Sequence, residues 1–282
     1  MSAIPNVSLT APDGTVDIPQ LGFGVWQVED DEAHRSVAVA LDAGYRHLDT
    51  AWMYQNEAGV GEALAESDVP TEDVFVTTKV WNSEQGYDRT MRSFDQSIER
   101  LGVDVLDLYL IHWPVPKKDA FVETWTTFQT LRDEGRVRAI GTSNFQISHL
   151  ERLRDETGEL PAINQVELHP YLVQQELRDF HAANGIVTEA WSPLASGELG
   201  VLTDTTVQRV ADTHGVTPAQ AILRWHLQLG NVVIPKSVHG ERIRENFDVF
   251  GFELTDGEVA SITALDKGKR TGPNPDRFNQ GA

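Results

Sequence analysis

Short apolar runs rich in β-branched residues alternate along the chain with longer stretches of helical period. The runs lie at 21–25, 46–49, 74–79, 106–112, 137–142, 162–166, 186–191 and 232–234, which predicts eight strands. Between the first two, Ala33, Val37, Ala40, Leu41 and Gly44 recur at spacings that place them on one face of a helix over 32–43. Met91, Phe94, Ile98 and Leu101 do the same over 90–101, as do Phe121, Trp125, Phe128 and Leu131. The strand runs are too continuous to have a wet face, as expected of parallel strands covered by helices. Eight such units predict an α/β fold, a (β/α)8 TIM barrel, formed by one domain over 1–282. An open doubly wound sheet is the rival. It is disfavoured because no Gly-x-Gly-x-x-Gly loop follows a strand and polar residues end nearly every run.

The flanking segments add detail. Residues 7–9 and 16–18 surround Pro12-Asp13-Gly14, a turn signal, which predicts a β-hairpin ahead of the barrel. Thr217-Pro218 reads as N-cap and first residue of a helix over 218–229. A second helical stretch, 204–214, shares the same connection, so one of the two is extra. Thr255 and Glu258 form a capping box with Leu254 and Val259 as its hydrophobic staple, opening another helix. The tail, 268–282, is rich in Gly, Pro and Asn and is expected to be a loop over the active-site mouth.

Charge and composition narrow the function classes. The formal charge is −20 over 282 residues, a balance that repels phosphate backbones and argues against nucleic-acid binding. Absence of cysteine excludes disulfides, thiolate metal sites and cysteine nucleophiles. No apolar run approaches the ~20 residues that span a bilayer, and the N-terminus lacks a signal-peptide pattern. A cytoplasmic monomer without membrane attachment is the expectation. Six lysines stand against seventeen arginines, which fits either a salty cytoplasm or GC-rich coding.

In a barrel of this kind the site forms at the C-terminal ends of the strands. There the chain places Asp49 and then Tyr54, Lys79, and His112 on adjacent units. Taken singly, each is more often a solvated or packed residue than a catalyst. Together they make coincidence a poor account, because a buried Lys79 needs a counter-ion and Asp49 is its neighbour. A tyrosine titrates near ~10 and is a reluctant acid, and a nearby ammonium is expected to lower that value. With His112 to orient a substrate oxygen, the set suits conversion of a carbonyl to a hydroxyl. The hydride must come from a cofactor, since no side chain supplies one. No metal-ligand cluster is evident, so no metal is expected.

Three ordered motifs carry a family resemblance. The run from Gly44 through His47, Asp49 and Tyr54 to Glu57, the run Ile140-Gly141-Thr142-Ser143-Asn144-Phe145, and Ile234-Pro235-Lys236-Ser237 with Arg242, Glu245 and Asn246 resemble the signatures of the aldo-keto reductases. The nearest likeness is to the bacterial and archaeal 2,5-diketo-D-gluconate reductase-like members. The resemblance implies an NADPH-dependent reductase of aldehydes and ketones, such as dicarbonyls or keto-sugars. Its catalytic set would be Asp49, Tyr54, Lys79 and His112, with Tyr54 as proton donor. Ser143, Asn144 and Gln165 would hold the nicotinamide carboxamide, and Trp191 would stack on the ring, a residue typical of the diketogluconate-like subgroup. Ser192 and Leu194 would line the pyrophosphate. Lys236, Ser237 and Arg242 would bind the 2′-phosphate, with Glu245 and Asn246 on the adenine. His239 replaces a Thr or Arg frequent near that phosphate, so NADH is expected to remain usable. Trp26, Trp81 and Trp113 would wall the substrate pocket, with Phe23 and Phe278 as weaker candidates and no role assigned to Trp52.

Two other classes remain. A Schiff-base aldolase would use Lys79 as nucleophile, but Asp49 would keep it charged. A non-enzymatic binding protein on the same scaffold would have no need of an intact catalytic set.

Overall fold

The computed structural model describes residues 4–12 and 14–282. The hairpin consists of β1 (Asn6–Ala11) and β2 (Gly14–Pro19), paired antiparallel with Leu9 opposite Val16. Asp13 of the expected turn and the first three residues lie outside the described residues. Eight parallel strands follow: β3 (Phe23–Gly24), β4 (His47–Asp49), β5 (Phe75–Val80), β6 (Leu106–Ile111), β7 (Val137–Ser143), β8 (Ile163–Glu167), β9 (Val187–Trp191) and β10 (Val232–Val233). They pair in sequence order. The two ends of the sheet meet where Gly22 N donates to Val233 O at 2.9 Å and Val233 N donates to Gln20 O at 2.9 Å, closing the barrel.

The outer layer contains α1 (Asp30–Ala43), α2 (Glu57–Glu66), α3 (Tyr87–Leu101), α4 (Phe121–Asp133), α5 (Ile147–Thr157), α6 (Gln175–Ala183), α7 (Thr205–His214), α8 (Pro218–Gln228), α9 (Gly240–Phe247) and α10 (Asp256–Thr263). Of the two helices between β9 and β10, α8 lies on β10, while α7 packs on α8 and α10 and is the extra one. Thr217 accepts from Gln220 N and begins α8 with Pro218, and Thr255 accepts from Glu258 N at the start of α10. Both helices begin where the capping chemistry places them.

Side-chain alternation along the strands creates two environments. Val76, Val80, Tyr109 and Ile111 face the helices and join the outer core. Phe75, Leu108, Leu110, Ala139, Ile163 and Val232 fill the barrel interior, where Leu9, Val16 and Ile18 of the hairpin plug it. Gly141 is required in this interior, because a Cβ there would lie 2.7 Å from both Ile163 and Leu110. The catalytic candidates Asp49, Lys79 and His112 all lie at or just past the C-terminal ends of their strands. Among the described residues no helix is long and apolar enough to cross a membrane.

Candidate active site

Asp49 ends β4, Lys79 lies one residue before the end of β5, and His112 follows β6 directly. Tyr54 reaches the same place from a single 3-10 turn, Trp52–Tyr54, between β4 and α2. Asn56 fixes that turn: its amide donates to Val25 O and Val28 O, both at 2.9 Å, and its oxygen accepts from Thr50 Oγ1 at 2.8 Å. Asn56, one residue before the Glu57 that ends the first motif, is fully buried and holds the segment that carries Tyr54.

Lys79 Nζ donates to Asp49 Oδ1 at 2.6 Å and to Thr50 O at 2.9 Å. Neither ionic side chain has appreciable exposure, 0% and 3% respectively. Burial, the largest single effect, lowers the lysine's pKa, but the Asp49 charge and hydrogen bond together with Tyr54 and Glu189 outweigh it, so the ammonium is held above its usual value. The Lys79 ammonium lies 5.2 Å from the centroid of the Tyr54 ring. His112 meets Tyr54 edge-on at 5.6 Å between ring centroids and Trp81 at 5.1 Å. Burial, then the Lys79 charge, keep His112 well below its ordinary value and hence neutral. Its Nδ1 is buried without a protein partner among the described residues.

Lys79 was to lower the Tyr54 pKa, yet burial pushes the hydroxyl up to about 12. The Lys79 charge only partly opposes that, and Asp49 adds to the rise.

Around this group the expected carboxamide-binding residues form one network. Ser143 Oγ donates to Gln165 O at 2.9 Å, and Asn144 Nδ2 donates to His112 O and Ser143 Oγ, both at 3.0 Å. Trp191 Nε1 donates to Asn144 Oδ1 at 2.9 Å. Gln165 Nε2 donates to Asp49 Oδ2 at 2.8 Å and to Glu189 Oε2 at 2.9 Å. Ser192 and Leu194 follow β9 on a loop in which Ser192 has φ 51° and its hydroxyl meets Ser196 Oγ at 2.8 Å.

Lys236 and Arg242 are exposed and make no ion pair among the described residues. Ser237 Oγ accepts from His239 N at 3.1 Å. Glu245 accepts from Thr217 Oγ1 at 2.8 Å, tying α9 to the start of α8, and Asn246 is buried nearby. Two free cations on a chain of charge −20 are a donor set suited to a phosphate, so the residues fit a phosphorylated dinucleotide.

The aromatic wall is partly as expected. Trp81, Trp113 and Val115 form a buried cluster with Trp52, Met53, Trp191 and Phe278 against it. Trp113 and Phe278 ring centroids are 4.4 Å apart. Trp26 stays outside this cluster and is 46% exposed, two residues past β3 and just before the left-handed Gln27. Phe23 points outward, packing on Tyr45 at 5.6 Å in the helix-facing core, so it is no part of the wall. Trp52 joins the wall although no role was assigned to it.

The tail does fold over the mouth. Thr271 Oγ1 and Gly272 N donate to the Glu167 carboxylate at 2.8 and 3.2 Å, and Asn82 Nδ2 donates to Gln280 O at 2.8 Å. A Cβ on Gly272 would lie 2.5 Å from the Trp191 ring, so only glycine lets the tail settle there. Glu167 and Glu189 were both missed by sequence reasoning. The signal was present as period-two alternation: Ile163, Gln165, Glu167 and Val187, Glu189, Trp191 share the inward face of their strands.

The model of the aldo/keto reductase family matches residues 19–267. The chain belongs to the aldo/keto reductase family. An aldo-keto reductase of Mycolicibacterium smegmatis is 58% identical over 271 residues, covering 96% of this chain and 98% of that protein. The methylglyoxal reductase DkgA of Salmonella typhimurium is 50% identical over 266 residues, covering 94% and 96%. A mutant of Gox0644 in complex with NADPH superposes with a TM-score of 0.91 at 45% identity, covering 97% of this chain and 99% of that one. The family assignment, the barrel and the likeness to 2,5-diketo-D-gluconate reductase-like members agree with the reading of the three motifs.

Proposed function

We propose that this protein is an NADPH-dependent oxidoreductase that reduces small aldehydes and ketones, with dicarbonyls such as methylglyoxal and keto-sugars as its substrate class. The observation that carries this reading is the buried Asp49–Lys79 pair beneath Tyr54 and beside a neutral His112. Support comes from the family, from the named activity of the Salmonella relative and from the NADPH held by the Gox0644 neighbour.

NADPH bound at the mouth would supply the hydride. Ser143, Asn144 and Gln165 would hold its carboxamide, with Trp191 against the ring. Ser192 and Leu194 would line the pyrophosphate, Lys236, Ser237 and Arg242 the 2′-phosphate, and Glu245 and Asn246 the adenine. NADH lacks the phosphate and leaves Lys236 and Arg242 in water, so it binds more weakly and remains usable.

The protein's own groups do the rest. His112, neutral, orients the carbonyl oxygen by a hydrogen bond. Tyr54 donates its hydroxyl proton to that oxygen. The phenolate left behind is stabilised by the Lys79 ammonium, and Asp49 keeps that ammonium charged and in place. Trp81 and Trp113 wall the substrate and exclude water, with Phe278 from the tail closing over Trp113; Trp26 stands at the rim.

A Schiff-base aldolase is disfavoured because a nucleophilic lysine must be neutral, and Asp49 lies 2.6 Å from the Lys79 ammonium. Turnover likewise separates an enzyme from a binding protein on this scaffold. The test is NADPH oxidation across a panel of carbonyls that includes methylglyoxal and a keto-sugar. Reduction without added metal is expected; no oxidation with any member, or activity abolished by EDTA and restored by zinc, would overturn the proposal.

A further inference from the structure

We propose that Glu189 is a positioning residue of the cofactor site, one that orients the Gln165 amide so that its carbonyl oxygen faces the nicotinamide carboxamide. This rests on the reading that Gln165 binds that carboxamide.

Gln165 and Glu189 are register partners on β8 and β9. The Gln165 amide nitrogen has two hydrogens. One goes to Asp49 Oδ2 at 2.8 Å and the other to Glu189 Oε2 at 2.9 Å. The ion-paired Asp49 carboxylate only accepts, so a flipped amide would set its oxygen against Asp49 Oδ2 and would leave Glu189 Oε2 without the hydrogen it now accepts. With both hydrogens taken from behind, Oε1 is the one polar atom Gln165 can turn toward a ligand. Asn144 is the more committed group, because its Oδ1 already accepts from Trp191 Nε1 at 2.9 Å and its amide serves His112 O and Ser143 Oγ. Gln165 Oε1 is therefore the side-chain acceptor best placed to take a hydrogen from the carboxamide NH2.

Glu189 has no other evident task. Its side chain is fully buried, and Oε1 has no hydrogen-bond partner among the described residues. The groups facing it are His47 and Asp49 on β4, Lys79 on β5 and Gln165 on β8, with His47 Nε2 3.7 Å from Oε1. Burial, then the Asp49 charge, raise its carboxyl far above the ordinary value. Oε2 can accept from Gln165 in either protonation state, the proton of the neutral form residing on Oε1. A buried acid kept beside a second acid costs stability, which a role in orientation accounts for and a packing role does not.

The test compares NADP+ with its 3-acetylpyridine analogue, in which a methyl group replaces the carboxamide NH2. Affinities measured by calorimetry on the same protein give a ratio that does not depend on how much of a variant is folded. Wild type is expected to favour NADP+ roughly five- to tenfold, the worth of one hydrogen bond. Gln165→Leu should reduce the ratio to near one. Glu189→Leu should remove most of it, because the amide then loses one of the two acceptors that fix it. Glu189→Gln, whose oxygen can accept the same hydrogen, should restore it. A Glu189→Leu protein that keeps the wild-type ratio while Gln165→Leu loses it overturns the role of Glu189. A wild type without preference, or a Gln165→Leu protein that retains it, overturns the reading of Gln165 instead, and the inference with it.

Discussion

Replacing Asp49 with Asn probes the buried ion pair most directly. Asp49 accepts at both oxygens, from Lys79 at 2.6 Å and from Gln165 at 2.8 Å. Asparagine offers one oxygen and one NH2, so one of those donors meets another donor, and the Lys79 ammonium loses its counter-ion at zero exposure. Leaving one member of a buried pair uncompensated costs about 3–5 kcal/mol. An independent ceiling agrees: Lys79 can escape by losing its proton, and from an ordinary value of 10.5 that costs about 5 kcal/mol at neutral pH. A loss of this size is a large share of the ~5–15 kcal/mol typical of folded proteins. Urea unfolding at neutral pH reads it as a lower midpoint at unchanged slope. The partner experiment adds Lys79→Met. Removing both charges takes away the uncompensated one, so the double variant should recover stability relative to Asp49→Asn alone while carbonyl reduction stays lost. A single variant destabilised by less than about 1 kcal/mol, or a double variant no better than the single one, would refute the claim that this pair is dry.

Other outcomes follow from the same geometry. Tyr54→Phe should lower kcat for aldehyde reduction by ~10²-fold or more with NADPH affinity near wild type, since the hydroxyl acts in the transition state; a wild-type rate would move the proton source to His112. Lys236→Ala and Arg242→Ala should each raise KM for NADPH far more than for NADH, by about 1–3 kcal/mol per charge-assisted bond, whereas equal losses with both cofactors would make them supports of the fold. Burial and the Asp49 charge raise the Glu189 carboxyl from 4.5 to about 8, so the folded state holds a proton that the unfolded state releases. The stability linked to that proton is full below 4.5 and is lost as pH rises toward about 8. Glu189→Gln should therefore gain stability relative to wild type steadily across that window in urea titrations, and a difference that stays flat with pH would count against it.

How much of this was legible depended on the kind of residue. All eight strands were readable because parallel strands covered on both faces leave long apolar runs. Their ends were less so: the first run, 21–25, shrinks to Phe23–Gly24. A Cβ on Gly22 would lie 2.4 Å from the His47 ring, an approach that sequence alone does not reveal. Lys79 and Asp49 were legible because each demands the other. The exposure of Trp26 was not legible, since strand-end position says nothing of how much of a side chain the neighbouring loops cover. Glu189 was hidden inside a run scored as apolar and Glu167 lay just past the end of another, although alternation by twos marked both as inward-facing. The Tyr54 shift was not legible at all, because burial is a property of the assembled mouth and the ammonium's effect can be weighed only against it.

That shift bears on the order of events in the proposed reaction. With its hydroxyl at about 12, Tyr54 keeps its proton throughout the physiological range and is a poor acid toward a neutral carbonyl. The interior beneath it is close to charge-balanced: Lys79 and Asp49 cancel, while burial keeps His47 and His112 neutral and favours the neutral carboxyl of Glu189. The Lys79 ammonium lies 5.2 Å from the centroid of the Tyr54 ring and would act on a substrate oxygen there with its field partly offset by Asp49. As negative charge builds on that oxygen during reduction, its basicity rises, and the Tyr54 proton becomes worth giving only then. A proton donor tuned low, near neutrality, would instead spend part of its time ionised and would place a phenolate against the incoming carbonyl. The raised value favours transfer late in the reaction, coupled to charge that only the reacting substrate creates.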